Sequence, residues 1–253
     1  MATSAEILLY DLPSRHRGED HLSSFSFNPW RTRLVLNYKQ IPYKTEWTEY
    51  PDLAPKLKSL GVQANEPGTA FADYSSPTVR LMDGTMVMNS INIVSALEQR
   101  YPEPTLHLDA ELHGPITEAV EGLLFVIWWD ALASIPRGVL TEKSASYFAE
   151  GRAAYFGTSL DDLAATKGGE KAWEAAAVPG GPADKLKDVL TKHRRDQGPF
   201  ALGSQVSYGD FVAVGLFECV ERSHLESYER LMGLHDTFKT LHEACRPWLA
   251  RDD

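Results

Sequence analysis

The stretch Ser24-Phe25-Ser26-Phe27-Asn28-Pro29-Trp30-Arg31 holds the first chemistry visible in this sequence. It follows a short apolar run, Ile7 to Tyr10, and opens a helical pattern through Trp30, Leu34, Leu36 and Tyr38. A helix start carries amide donors without intrahelical partners and a partial positive charge, so an anion is stabilised there. A thiol held at that point loses its proton more readily than a free thiol of pKa about 8.5, and serine hydroxyls can donate to the thiolate. The plainer reading is that Ser26 or Asn28 only caps the helix.

Two other stretches carry a similar choice. Ser76-Pro77 precedes a short strand and hairpin. Pro77 either starts a strand at a sheet edge or follows a cis peptide that turns the Ser76 backbone outward as a paired donor and acceptor. Asn89-Ser90 opens a helix right after the hairpin. Ser90 suits an N-cap, and the amides that follow suit a carboxylate; capping alone accounts for it as well. The weight comes from the order of all three within one small unit.

Other chemistries lack their residues. The sequence has no metal-type histidine pair, no Walker A loop, no Gly-x-Gly-x-x-Gly and no Gly-x-Ser-x-Gly elbow, so no metal, nucleotide or hydrolase site is expected.

The elements that must position these residues come from periodicity. Ile7 to Tyr10 predicts a buried strand, Ser14 to Ser24 a loop, and Pro29 the first turn of a helix. Tyr43 to Glu49 predicts a second strand and Asp52 to Leu60 a short helix closed by Gly61. Thr78 to Met82 and Met86 to Met88 flank the Asp83-Gly84 hairpin turn, and Ser90 to Arg100 predicts a helix. That order is a small α/β sheet with helices against it. Beyond Tyr101-Pro102-Glu103-Pro104 only helical periodicity is convincing: Glu118 to Ala133, Lys143 to Phe156, Ala183 to His193, Tyr208 to Glu221 and Ser227 to Ala250. The glycines near 168 and 180 are expected to form loops, and the interval between them, with Ala175 to Ala177, an insertion between helices. The expected domains are 1–103 and 111–253, divided at the proline-rich stretch.

Composition narrows the partners. Of 253 residues, 25 are basic and 35 acidic, a net charge of -10, which argues against a nucleic-acid partner. The basic run Lys192 to Arg195 reads as a solvated helix end. Cys219 and Cys245 form no disulfide framework or zinc spacing, which suits a reducing, cytoplasmic compartment. The start lacks a signal-peptide pattern, and apolar stretches such as Leu123 to Trp129 are too short to cross a bilayer, so no membrane role is expected.

At this point the sequence resembles the glutathione S-transferase family. The resemblance lies in Ser76-Pro77, Asp83-Gly84, Asn89-Ser90 and Leu97-Glu98-Gln99-Arg100-Tyr101-Pro102 in the first half. In the second half it lies in Phe200-Ala201-Leu202-Gly203-Ser204 and in Ser207-Tyr208-Gly209-Asp210, similar to that family's buried Ser-x-x-Asp capping box. Within the family, Ser26 to Arg33 and Tyr43 to Asp52 are most similar to a serine-type branch of bacterial β-etherases and related fungal transferases. Three positions depart from the pattern: the proline after the serine has moved to Pro29, Ser76 replaces an apolar residue, and Asn89 replaces an acidic or glutamine side chain.

The resemblance implies a thioredoxin-like N-terminal domain that binds glutathione as co-substrate, followed by an all-α domain. It implies Ser26 as the thiolate-stabilising hydroxyl, with Ser24 as a second donor or substitute and Asn28 behind them. The Ser76 backbone before Pro77 would pair with the cysteinyl part of glutathione. Ser90 and the next amide would hold the γ-glutamyl carboxylate, with Asn89 near the amino group. A hydrophobic or aromatic second substrate would sit between domains on the fourth helix, against Phe125, Trp128 and Trp129 with Tyr147 and Phe148; the alternative is that most of these are core. The electrophile could then be an aromatic ether, and a homodimer is expected. The rival is a non-catalytic aromatic-ligand binder or regulatory protein on the same fold.

Overall fold

The computed structural model describes residues 6–15, 22–68, 70, 72–108 and 111–252. β1 (Ile7–Asp11) leads through the short ribbon β2 (Ser14–Arg15) and β3 (Leu22–Ser23) into α1 (Phe27–Tyr38). β4 (Tyr43–Trp47) and α2 (Tyr50–Ser59) follow, then β5 (Thr78–Arg80), β6 (Met86–Met88) and α3 (Ser90–Arg100). The expected loop from Ser14 to Ser24 thus contains a ribbon: Ser14 pairs with Ser23, and the Ser14 hydroxyl donates to the Ser23 carbonyl at 2.6 Å.

The main sheet has the order β4-β1-β5-β6. β1 and β4 are parallel with Asp11 opposite Trp47, while β5 runs antiparallel to both β1 and β6. β1, α1 and β4 form a βαβ unit, so α1 must start near the C-terminal end of β1. Tyr10 pairs with Thr78, and Thr78 with Met88. The register therefore brings the start of α1, the residues before Thr78 and the residues after Met88 to one edge. All three predicted stretches meet there.

The second half is helical: α4 (His113–Gly138), α5 (Glu142–Phe156), α6 (Leu160–Lys167), α7 (Glu170–Ala177), α8 (Pro182–Thr191), α9 (Tyr208–Ser223), α10 (Leu225–Leu234) and α11 (Asp236–Leu249). The interval between the glycine breaks holds a helix of its own, α7, whose Trp173 and Ala176 bury an apolar stripe against the core. One sequence expectation fails here. The pattern from Ser227 to Ala250 is broken at His235, whose extended backbone (φ -151°, ψ 135°) separates α10 from α11.

α9 is the central core helix, buried from Tyr208 to Val220. It packs closely on α1 at Gly215, where a Cβ would meet the Phe27 carbonyl oxygen at 3.1 Å and Arg31 Cγ at 3.3 Å. α4 is long and apolar enough to span a bilayer by composition, but its buried residues, among them Ile116, Val120, Leu123 and Ile127, belong to the same core as α9. Between the halves, Glu49 at the start of α2 accepts hydrogen bonds from Thr141 Oγ1 (2.6 Å) and Ser144 Oγ at the start of α5. A carboxylate at a helix N-terminus is favourably placed.

Candidate active site

The loop before α1 separates its two serines. Ser26 is the N-cap of α1, half-buried, with extended backbone and no capping bond to its side chain. The other donors of the first turn are largely committed. The Phe27 amide donates to the Cys219 sulfur from α9, Pro29 has no amide hydrogen, and the Trp30 amide donates to the Ser26 carbonyl at 3.2 Å. That leaves the Asn28 amide, two residues after Ser26, without a hydrogen bond among the described residues, and the Asn28 side chain is exposed. The Cys219 thiol is itself no nucleophile, since burial pushes its pKa up to about 12.

Ser24 corrects an expectation. It is fully buried and its hydroxyl has no hydrogen-bond partner among the described residues, while its amide donates to the Asp252 carbonyl at 3.1 Å. A side chain with no exposed surface cannot meet a thiolate in an open cleft.

At the second stretch the Ser76-Pro77 bond is cis. The Ser76 hydroxyl turns inward, donating to the Tyr10 carbonyl (3.1 Å) and Asp11 Oδ1 (3.3 Å). Asp11 is fully buried and pairs with the equally buried Arg33 at 2.9 Å. Arg33 also donates to Thr45 Oγ1 and the Tyr43 hydroxyl, each at 3.2 Å. A buried ion pair requires such added bonds to offset its desolvation. The unusual serine thus completes a polar network under the sheet edge. Among the described residues its own amide and carbonyl make no hydrogen bond.

The third stretch differs by one position. Asn89, not Ser90, is the N-cap of α3, with φ 75°, a conformation asparagine tolerates better than serine. Its side chain accepts from Ser75 Oγ at 3.0 Å and donates to Asn65 Oδ1 at 2.9 Å, so it organises the loop before β5. Ser90 becomes the first helical residue, and its hydroxyl hydrogen bonds the Tyr208 hydroxyl. The Ser90 and Ile91 amides remain without partners among the described residues, as expected for a first turn.

Sequence reasoning overlooked Arg31. It is 7% exposed, and its Nε and Nη2 have no hydrogen-bond partner among the described residues. Its guanidinium lies 3.8 Å from the centre of the Phe27 ring. Burial pulls its pKa down, against the opposing pull of Tyr208 and Glu121. Only the acidity of Tyr208 and Glu121 nearby, neither sequence-adjacent, marks it as special.

The aromatic wall is divided. Phe125 is 67% exposed and Trp128 half-buried. Trp129 is a correction: it is buried, edge-on to Phe156 at 5.7 Å with Lys167 Nζ 4.5 Å from its ring centre, and it has little surface for a ligand. On α5, Tyr147 is exposed, while Phe148 is core, edge-on to Tyr50 at 5.3 Å. A cavity of about 480 Å³ lies elsewhere, lined by residues including Leu112, His113, Val189 and His193, and shares none of these side chains.

Comparisons with known proteins give the family. The model of the glutathione S-transferase N-terminal domain matches residues 25–100, and that of the C-terminal domain matches residues 116–248. The chain belongs to the glutathione S-transferase family. The glutathione S-transferase-like protein ustS of Aspergillus flavus is 30% identical over 239 residues, covering 89% of this chain and 85% of that one. A glutathione S-transferase of Ceriporiopsis subvermispora, solved in complex with glutathione, has 25% identity and a TM-score of 0.80 over 98% of this chain and 99% of its own. The glutathione transferase GSTFuA2 of Phanerochaete chrysosporium has 27% identity and a TM-score of 0.74 over 99% and 100%. The small mixed sheet followed by helices is the thioredoxin-like and all-helical pair of this glutathione S-transferase fold.

Proposed function

We propose that this protein is a serine-type glutathione transferase that holds the glutathione thiolate on Ser26 and transfers it to an apolar or aromatic electrophile. The observation that carries the reading is the Ser26 hydroxyl: it caps nothing, stands two residues before an Asn28 amide with no hydrogen bond among the described residues, and opens α1 at the same sheet edge as Ser76 and Ser90. The Ser76 amide and carbonyl would pair with the cysteinyl backbone of glutathione. The Ser90 and Ile91 amides would take the γ-glutamyl carboxylate, with the Ser90 hydroxyl shared with Tyr208 and the charge of Arg31 behind it. Ser24, which is buried, and Asn89, whose side chain holds the loop before β5, take no direct part.

The reaction needs two effects. Donors aimed at sulfur lower the thiol pKa, and binding both reactants in one cleft replaces a bimolecular encounter. The electrophile would lie against Trp128 and Phe125. The similarity of Ser26 to Arg33 and Tyr43 to Asp52 to β-etherases favours an aryl ether among possible electrophiles. Two buried free thiols suit a cytoplasmic setting, and the family favours a homodimer. The altered residues 76 and 89 are what would favour a non-catalytic rival; both side chains have structural duties that leave the glutathione contacts to the backbone.

Calorimetric titration with glutathione, followed by adduct analysis on chloro-aromatic and aryl-ether panels, tests this. Binding with conjugation is expected. No binding would overturn the transferase reading, and conjugation without ether cleavage would remove only the etherase refinement.

A further inference from the structure

The residues after α11 run back over the N-terminal half as a strap. Asn37 Nδ2 donates to the Trp248 carbonyl at 2.7 Å and the Arg251 carbonyl at 3.1 Å. Arg251 donates to the Tyr43 carbonyl at 2.6 Å and stacks 3.8 Å from that ring's centre. The strap ends on Asp252, which makes two contacts of a different kind. Its carboxylate takes Arg222 Nη1 at 2.6 Å, and its backbone carbonyl accepts the Ser24 amide at 3.1 Å.

Arg222 is anchored in turn. Its Nε donates to Glu218 Oε2 at 2.9 Å, and its guanidinium sits 4.9 Å from the centre of the Trp30 ring in α1. The other Glu218 oxygen meets His242 Nε2 at 2.8 Å, and His242 Nδ1 meets the Tyr228 hydroxyl at 2.8 Å. Burial pushes the Glu218 carboxyl up, but the His242 bond and the Arg222 charge outweigh it and hold it below the usual range. The side chains bridging Arg222 and Asp252 are only 16% and 21% exposed, so this pair is better shielded from water than an open surface bridge. Four elements, α9, α10, α11 and the strap, thus converge on the backbone of Ser24.

Among the described residues nothing else holds Ser24 by hydrogen bonds: its hydroxyl has no partner there, and its amide has only Asp252. Ser26 stands two residues on. We infer that Asp252 and Arg222 are positioning residues for the thiolate site: they fix the backbone of Ser24 and so set the direction in which the Ser26 hydroxyl meets the glutathione sulfur. The inference rests on Ser26 being the thiolate donor. A hydrogen bond to sulfur weakens steeply with misalignment, so a small swing of this loop raises the bound-thiol pKa without removing any group that touches glutathione.

The full chain carrying Asp252→Ala tests it, with Asp252→Asn as the conservative variant that keeps an oxygen acceptor for Arg222. Circular dichroism first establishes that each is folded. The pKa of enzyme-bound glutathione is then read from thiolate absorbance across pH, beside kcat and KM. Asp252→Ala should raise the bound-thiol pKa and lower kcat near neutral pH by about 3- to 10-fold, with KM for glutathione moving less than about 2-fold and Asp252→Asn recovering most of the loss. A wild-type bound-thiol pKa in Asp252→Ala overturns the inference. Ser26→Ala in the same titration separates the two failures. If it raises the pKa while Asp252→Ala does not, only the strap is refuted; if neither moves it, the serine mechanism fails as well.

Discussion

Helices α1 and α9 both begin with an N-cap serine, and the two starts are built for opposite ends. At α9 the Ser207 side chain serves the Asp210 amide, while Asp210 accepts from the Ser207 amide (2.8 Å), the Ser207 hydroxyl (2.8 Å) and the Ala201 amide (2.7 Å). Both residues are buried, and the Tyr208 amide between them donates to the Leu106 carbonyl at 2.9 Å. At α1, Ser26 caps nothing and the Asn28 amide has no hydrogen bond among the described residues, although α9 reaches over with Cys219 to the amide between them. The satisfied start spends its hydrogen bonds on folding. The open one keeps them for a ligand, and its neighbour Gly215 keeps the two helices close enough for that division.

The comparison breaks first at Asp210. Asp210→Ala leaves the buried Ala201 and Ser207 amides unpaired, so it should lower unfolding stability by about 3 kcal/mol or more while preserving activity per folded molecule. Urea denaturation with active-site counting measures both. A large loss of activity in fully folded protein would show that α9 is not purely structural.

The same carboxyl gives a pH signature of nearly equal size. Burial raises Asp210 from 3.8 to about 6, against its three hydrogen bonds and the charge of Arg194. Its folded pKa lies above its unfolded value, so the stabilising contribution is full below about pH 4 and is lost as pH rises through about 6. At roughly 1.4 kcal/mol per pH unit, the loss is on the order of 3 kcal/mol. The stability difference between wild type and Asp210→Asn, followed from pH 4 to pH 7, should shrink or change sign accordingly. A difference that stays constant would refute the raised pKa.

The third helix start lies between these extremes and gives the smallest effect. Asn89 uses its side chain on the preceding loop and leaves the α3 amides open. Asn89→Gly keeps the positive φ but releases Ser75 and Asn65, and should cost about 1 kcal/mol. Asn89→Ala adds backbone strain and should cost about 1 kcal/mol more. Equal losses in the two variants would mean that the backbone there relaxes freely.

What the sequence made legible was local. The Asp83-Gly84 turn, the Ser207–Asp210 box, the strands and the start of α1 all rest on neighbours within a few residues. Ser24 looked interchangeable with Ser26 because the group that covers it, Asp252, comes from the far end of the chain. Trp129 looked like a wall residue because periodicity cannot say which of two adjacent tryptophans faces α5 and α6. Arg31 carried no signal at all: its missing partners appear only once α1 is packed on α9. The break at His235 was hidden because the flanking residues continue the helical pattern, and only the extended backbone there interrupts it.

The central claim is that Ser26, and not Ser24, holds the thiolate. Thiolate absorbance of bound glutathione, titrated against pH in wild type, Ser26→Ala and Ser24→Ala, tests it most directly. The account predicts a bound-thiol pKa higher by about 1 or more in Ser26→Ala, a tenfold or greater loss of thiolate, and a value within about 0.3 of wild type in Ser24→Ala. An unchanged pKa in Ser26→Ala, or an equal rise in Ser24→Ala, would contradict it.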